Sequence, residues 1–222
     1  EIPLRLVGSE MCIRDRSELA RELEERGYES LFVPEHTHIP TSRRSPFPGG
    51  GELPRQYSHT LDPFVSLGFA AASTKNLKIG TGICLLPQRD PIVTAKSIAS
   101  LDLMSKGRFV LGLGGGWNVD EMENHGVTYK TRFAMMKEHV LAMKSLWVDE
   151  EAEFHGEYIN FDKSWAYPKP VQKPYPPILM GGETDYTLKR VVDYCDGWFP
   201  RGRGGFDACL LYTSDAADEG LG

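Results

Sequence analysis

Residues 77–117, LKIGTGICLLPQRDPIVTAKSIASLDLMSKGRFVLGLGGGW, constrain the fold more than any other stretch of this chain. They read strand, turn, helix, strand, and both strands run into glycine at their C-terminal ends. Leu77, Ile79 and Ile83 surround Gly80, Thr81 and Gly82, while Phe109, Val110, Leu111 and Leu113 lead into Gly112, Gly114, Gly115 and Gly116. Glycine weakens a strand interior but lets a second backbone or a ligand approach closely. Two consecutive parallel strands that open into glycine at the same end make a shelf on which a cofactor can lie.

The pattern continues on both sides. Leu19, Ala20 and Leu23 predict a helix over 17–26 with Gly27 as its stop, and a strand from Tyr28 to about Pro34 follows. Thr37 to His59 is polar, rich in Pro, Gly and Arg, and without apolar periodicity, which marks a functional loop or lid. Asp62 and Pro63 open a helix through Ser73. A further helix is expected from about Pro91 to Met104, and a long amphipathic one from Thr131 to Trp147. Asn118–Tyr129 between them is irregular, with room for one helical turn. Ala152–Phe154 and Tyr158–Phe161 read as a hairpin that interrupts the repeat. Strand Ile178–Met180, helix Thr184–Tyr194 and strand Gly197–Pro200 complete it. Alternating units of this kind build a parallel sheet covered by helices. A TIM (β/α)8 barrel is favoured over a doubly wound sheet, because several successive strands carry glycine or polar residues at their C-terminal ends.

The two termini read differently. LVGSEMCIRDR (6–16) and CLLYTSDAADE (209–219) back-translate to the two arms of a common transposase sequencing adapter. Residues 1–16 and 209–222 are therefore expected to be adapter-derived tails, leaving 17–208 as a partial barrel domain without its first strand and last units. The tails hold three of the 25 basic and six of the 31 acidic residues. The remaining 22 and 25 give a net charge of −3, which argues against nucleic acid or an anionic membrane as the main partner. Only Cys84 and Cys195 then remain, too few for a disulfide framework or a cysteine metal site, and they point to the cytoplasm. No apolar run approaches a membrane span of roughly 18–20 residues. No Ser-His-Asp set, Walker sequence or metal-ligand spacing is present.

SLFVPEH, LDPFVSLGFAAAST, LKIGTGICLLPQRDPIVTAKSIASLD, GRFVLGLGGGWNVDE, FHGEYINF with PKPVQ, PPILMGG and CDGWFP resemble, in order, the luciferase-like monooxygenase superfamily, in its coenzyme F420-dependent oxidoreductase branch. The resemblance implies a bacterial-luciferase-type barrel that holds F420 or, alternatively, FMN. It implies hydride transfer between F420 and a small organic substrate, with FMN-dependent oxygenation or a catalytically idle flavin-binding relative as alternatives. The full-length form is expected to be a homodimer.

The same resemblance assigns residues. Gly82-Ile83 matches a non-prolyl cis peptide beneath the flavin ring. His36 matches a ring-contacting histidine that can act as a catalytic base, and Glu35 beside it would reach the ring's polar edge. Gly114, Gly115 and Gly116 would leave room for the ring or its ribityl chain. Gly181 and Gly182, ahead of a helix with Thr184 at its cap, would take the phosphate. Trp198 would pack on the cofactor tail, with Arg201 or Arg203 pairing with its charge. Arg43, Arg44 and Arg55 on the long loop are candidates for the phosphate, the polyglutamate tail or an acidic substrate. Trp117 stands where some F420 dehydrogenases carry an acid, so an acid-assisted mechanism does not carry over. Asp120, Glu121 and Glu123 read equally as a solvated helix face.

Overall fold

Most helices of this chain begin where a short polar side chain closes the first turn. The computed structural model describes residues 5–7, 15–41 and 43–200. Asp15 accepts Ser17 N–H at 2.8 Å to open α1 (Arg16–Glu25). Asp62 accepts Val65 N–H at 3.0 Å ahead of α2 (Pro63–Ser73), and Asp90 accepts Val93 N–H at 2.8 Å ahead of α3 (Pro91–Ser105). Proline follows both aspartates, at a position where no N–H is needed. Asn118 caps the short α4 (Val119–Asn124); α5 (Arg132–Val148) has no side-chain cap; and Thr184 forms a reciprocal box with Thr187 at α6 (Asp185–Tyr194). Each side-chain cap contributes about 1 kcal/mol.

Between the helices lie β1 (Arg5–Val7), β2 (Ser30–Val33), β3 (Lys78–Thr81), β4 (Cys84–Leu85) and β5 (Phe109–Gly114). The hairpin β6 (Ala152–His155) and β7 (Asn160–Ser164) follows, then β8 (Ile178–Gly181) and β9 (Gly197–Phe199). The main sheet is parallel throughout, in the order β1-β2-β3-β5-β8-β9, with β4 also paired to β5. Strands thus sit side by side in the order in which they occur, with no reversal point. A doubly wound sheet must reverse; a barrel does not. The sheet is an arc of a TIM barrel, as expected from the glycine-ended strands.

One continuous core holds the arc together. Leu31, Ile79, Phe109, Leu111 and Ile178 from the strands join Leu23, Leu67, Ile98, Met136 and Val140 from the helices. Fully burying a side chain of this size stabilises by about 1.5–3 kcal/mol. The Trp147 indole N–H donates to Ala95 O at 3.0 Å and pins α5 to α3.

The register of the third rung contains an irregularity. Gly80 pairs with Val110, but Cys84 pairs with Leu113, so one extra residue sits between Thr81 and Cys84. The Gly82–Ile83 peptide within that bulge is cis. A bulge re-aims the strand beyond it, and here it separates β3 from β4.

The N-terminus differs from the sequence reading. A first strand is present: Arg5, Leu6 and Val7 pair in parallel with Ser30, Leu31 and Phe32, and α1 already begins at Arg16. The open edge of β2 presents unpaired N–H and C=O groups, which an extended neighbouring segment satisfies. Arg201, Arg203 and residues 209–222 lie outside the described residues. Asn118–Tyr129, read as irregular with a helical turn, carries the six-residue α4.

Candidate active site

The C-terminal ends of the strands converge on one face, and β2 brings two buried acid–base side chains there. Glu35, expected to touch the cofactor, is instead tied into the scaffold. Its carboxylate accepts Leu85 N–H at 2.7 Å and Arg89 Nε–H at 2.5 Å, locking β4 to β2 across the bulge. Arg89 also donates to Asp62 at 2.7 Å and lies 4.7 Å from the Phe64 ring centre. Burial alone would lower the Arg89 guanidinium, but the hydrogen bond and charge of Glu35 outweigh it and hold the group above its ordinary value. Burial and the same Glu35 charge push the Cys84 thiol well up, and burial pushes Cys195 up to about 12. Neither cysteine is a ready nucleophile.

His36 lies just past the end of β2, beside Glu35. Its ring is 8% exposed, and Nδ1 lies 2.8 Å from Glu121 Oε2, whose residue is fully buried at the start of α4. A carboxylate oxygen accepts, so Glu121 favours the tautomer of neutral imidazole that carries its proton on Nδ1 and its lone pair on Nε2. Thr60 Oγ1 donates to His36 O at 2.7 Å and fixes the backbone from the far end of the long loop. This His–Glu pair is the main feature missed by sequence reasoning. The signal was present: Asn118 followed three residues later by Glu121 is a capping pattern. The cap forms only in part, with Glu121 N–H at 3.4 Å from Asn118 Oδ1, while the Glu121 carboxylate goes to His36.

The glycines at the strand ends are explained largely by protein atoms. A Cβ on Gly112 would lie 2.1 Å from Thr81 O, and one on Gly114 would lie 2.1 Å from Ile83 Cδ1. At Gly181 the added carbon would meet Ile83 Cγ2 at 2.9 Å, and at Gly115 it would meet Phe133 at 2.7 Å. The expectation that Gly114 and Gly115 leave open space is therefore corrected. They make room for Ile83 and Phe133, and the bulged Ile83 side chain fills the centre of the shelf. Gly116 differs, since its φ of +73° requires glycine and Gln88 Nε2 lies 3.6 Å from the Cβ position.

At the β8 exit, Gly182 has φ +130° and its carbonyl accepts the Trp198 indole N–H at 2.6 Å. Trp198 thus braces the glycyl turn. The Thr184 hydroxyl is engaged by Thr187 N–H at 3.2 Å and belongs to the helix cap. One turn along α6 from Thr187, Arg190 stacks 3.7 Å from the Phe133 ring centre, and Arg132 stacks 4.3 Å from the same ring. Burial lowers the Arg132 guanidinium and Arg190 lowers it further, while Tyr129 acts in the opposite sense. Two guanidinium groups so arranged, with Arg132 Nε buried and unpartnered among the described residues, fit an anionic group. Neither arginine was singled out from sequence, where a basic residue at a helix start reads as solvated.

Other buried polar atoms at this face are also unpartnered among the described residues: Gln88 Oε1 and Nε2, Asn118 Nδ2 and Glu121 Oε1. Of the loop arginines, Arg44 is engaged by α4: it donates to Asp120 at 2.8 Å from both its backbone N–H and Nε, and it pairs with Glu123. No group of side chains among the described residues could hold a metal ion, and no helix there is long and apolar enough to cross a membrane.

The C-terminal face of this TIM-barrel arc thus carries a buried His–Glu pair, a bulge and a glycyl turn at the start of a helix. The chain belongs to the luciferase-like monooxygenase family, whose model matches residues 3–208. It is 46% identical over 183 residues to an uncharacterised Mycobacterium tuberculosis protein, covering 81% of this chain and 64% of that one. It is 29% identical over 168 residues to the F420-dependent hydroxymycolic acid dehydrogenase of M. tuberculosis, covering 74% of this chain and 46% of that one. Among solved structures, the monooxygenase RslO1 from Streptomyces bottropensis superimposes with a TM-score of 0.69 at 24% identity, over 85% of this chain and 56% of that one. An F420-dependent secondary alcohol dehydrogenase bound to an F420–acetone adduct gives 0.66 at 23%, over 89% and 57%. The chain therefore spans between about half and two thirds of the length of these proteins. A second relative, 29% identical, is named as the F420-dependent glucose-6-phosphate dehydrogenase of Kineococcus radiotolerans.

Proposed function

We propose that this barrel face binds coenzyme F420 and serves hydride transfer between it and a small organic substrate, with His36 as the base. The observation that carries the reading is the buried His36–Glu121 pair at the β2 end. Two relatives named as F420-dependent dehydrogenases support the choice of cofactor. Arg132, Arg190 and the N-terminus of α6 would hold the cofactor's phosphate, and Ile83 would back its ring. When bound, F420 gives or takes a hydride at its ring. His36 Nε2 takes the proton from the substrate hydroxyl as the carbonyl forms, and returns it in the reverse direction. Glu121 holds the imidazole in the tautomer that leaves Nε2 basic and stabilises the imidazolium. Trp117 supplies no proton, so the proton inventory rests on His36.

The protein is expected to be a homodimer, and α2 with α3 offers the surface for it. Val65, Phe69, Val93 and Met104 are exposed there beside a groove floored by Gly68, Ala72 and Ser97. Phe69→Glu is expected to leave a monomer on size-exclusion chromatography.

The test of the reading is to offer the purified chain F420 and FMN together and record the spectrum that co-purifies. A retained band near 420 nm supports it, whereas retained FMN gives the oxygenase alternative instead. His36→Ala is expected to lower turnover about 10²–10⁴-fold with cofactor retention unchanged. Unchanged turnover would remove His36 from the chemistry.

A further inference from the structure

Three aromatic rings close a circuit with the His36 imidazole. His36 lies 5.5 Å from Tyr57, and Tyr57 lies 5.2 Å from Phe47. Phe47 lies 6.1 Å from Trp117, which returns to His36 at 6.0 Å in an edge-to-face arrangement. Phe47 and Tyr57 come from the long loop, His36 from the β2 exit and Trp117 from the β5 exit, so three separate segments converge there. The loop is fastened in this position by α4. Arg44 pairs with Asp120 and Glu123, Val119 N–H donates to Ser45 Oγ at 3.0 Å, and Asn124 Nδ2 meets His38 Nε2 at 2.9 Å. Thr37 Oγ1 adds a bond to His125 Nε2 at 2.7 Å.

Ion pairs surround the box, while Glu121 keeps Oε1 unpartnered among the described residues. Glu121 faces His36, Glu35 faces Arg89, and Arg44 is held on Asp120 and Glu123. The surface beside His36 is otherwise made of aromatic rings, with a carboxylate oxygen of Glu121 as its unpartnered charge. Such walls favour flat or branched apolar groups and give nothing back to a phosphate or carboxylate stripped of water.

We propose that this box is the substrate seat and that it selects a neutral alcohol or ketone carrying an aryl or alicyclic group, with the loop residues Phe47 and Tyr57 as its walls. The proposal rests on the F420 reading for its chemistry but not for its binding test. The probes are 1-phenylethanol and glucose 6-phosphate, and the readout is ligand-observed saturation-transfer NMR on the full chain, with and without F420. The expected result is that 1-phenylethanol binds and glucose 6-phosphate does not. Phe47→Ala and Trp117→Ala are each expected to weaken 1-phenylethanol about tenfold without changing F420 affinity. Trp117→Phe should restore most of the loss, which separates a lost wall from a damaged fold. His36→Ala should keep the probe bound within about threefold while losing turnover. Equal or tighter binding of glucose 6-phosphate, no binding of 1-phenylethanol, or an unchanged affinity in both alanine variants would overturn the proposal. Failure of F420 to bind, with the probe results as expected, would instead sink the cofactor reading and leave the seat standing.

Discussion

The two ends of the sheet differ in how several of their buried polar side chains are engaged. At the N-terminal end, Arg108 donates to Ser105 O, Thr74 Oγ1, Leu77 O and Ala71 O, all between 2.7 and 2.9 Å. Glu24 accepts the consecutive N–H groups of residues 75, 76 and 77, and Asp102 accepts those of Val171 and Gln172. Those side chains act as bolts between loops, with their capacity filled from within the chain. At the C-terminal end, Gln88, Asn118, Glu121 and Arg132 each keep at least one buried atom unpartnered among the described residues. Unmet buried polar groups cost stability, and they concentrate where a ligand can satisfy them. On the proposed function, one end holds the fold and the other takes the ligand.

The contrast makes mutations at the two ends separable. Arg108→Met, which keeps the bulk and removes the bonds, is expected to cost about 3 kcal/mol and lower the melting temperature by roughly 10 °C. Ligand affinity of the folded protein should not change, and a melt within 2 °C of the parent would break the comparison. Glu121→Gln should do the reverse, lowering turnover about a hundredfold with the melt intact, because the imidazolium loses its counter-charge. Smaller is Gln88→Leu. Replacing an unsatisfied amide by an apolar group is expected to raise stability by about 1 kcal/mol in thermal melts while weakening ligand binding.

The smallest effect concerns pH. Burial would raise the Glu24 carboxyl, but three backbone hydrogen bonds and the nearby Arg108 outweigh it and hold the group below its ordinary value of 4.5. Its contribution to stability is therefore present above about pH 4.5 and is lost as the pH falls through the lowered value. Glu24→Gln should flatten that acid limb in a series of denaturant melts at different pH, and a parallel limb in both proteins would count against the bolt.

How much of this was readable beforehand follows the range of the forces involved. Asp62-Pro63, Asp90-Pro91 and Gly27 act within a few residues, so helix starts and stops were legible. Strand ends were legible because glycine marks them, and the barrel followed from their common direction. What the glycines are for was not, since Ile83 reaches Gly114 and Gly181 only after the chain has folded. Glu35 binds Arg89, 54 residues away, and His36 binds Glu121, 85 residues away. A carboxylate on a short helix looks the same in sequence whether it faces water or an imidazole. Arg132 and Arg190 likewise become a pair only through the ring of Phe133.

The most direct measurement is a fluorescence titration of F420 into the full chain and into its Arg132→Ala variant at equal concentrations. The expected result is saturable binding by the parent and at least tenfold weaker binding by the variant, because the phosphate loses one of two guanidinium partners. Equal affinity in the two proteins, or no binding by the parent, would contradict the assignment of this barrel face.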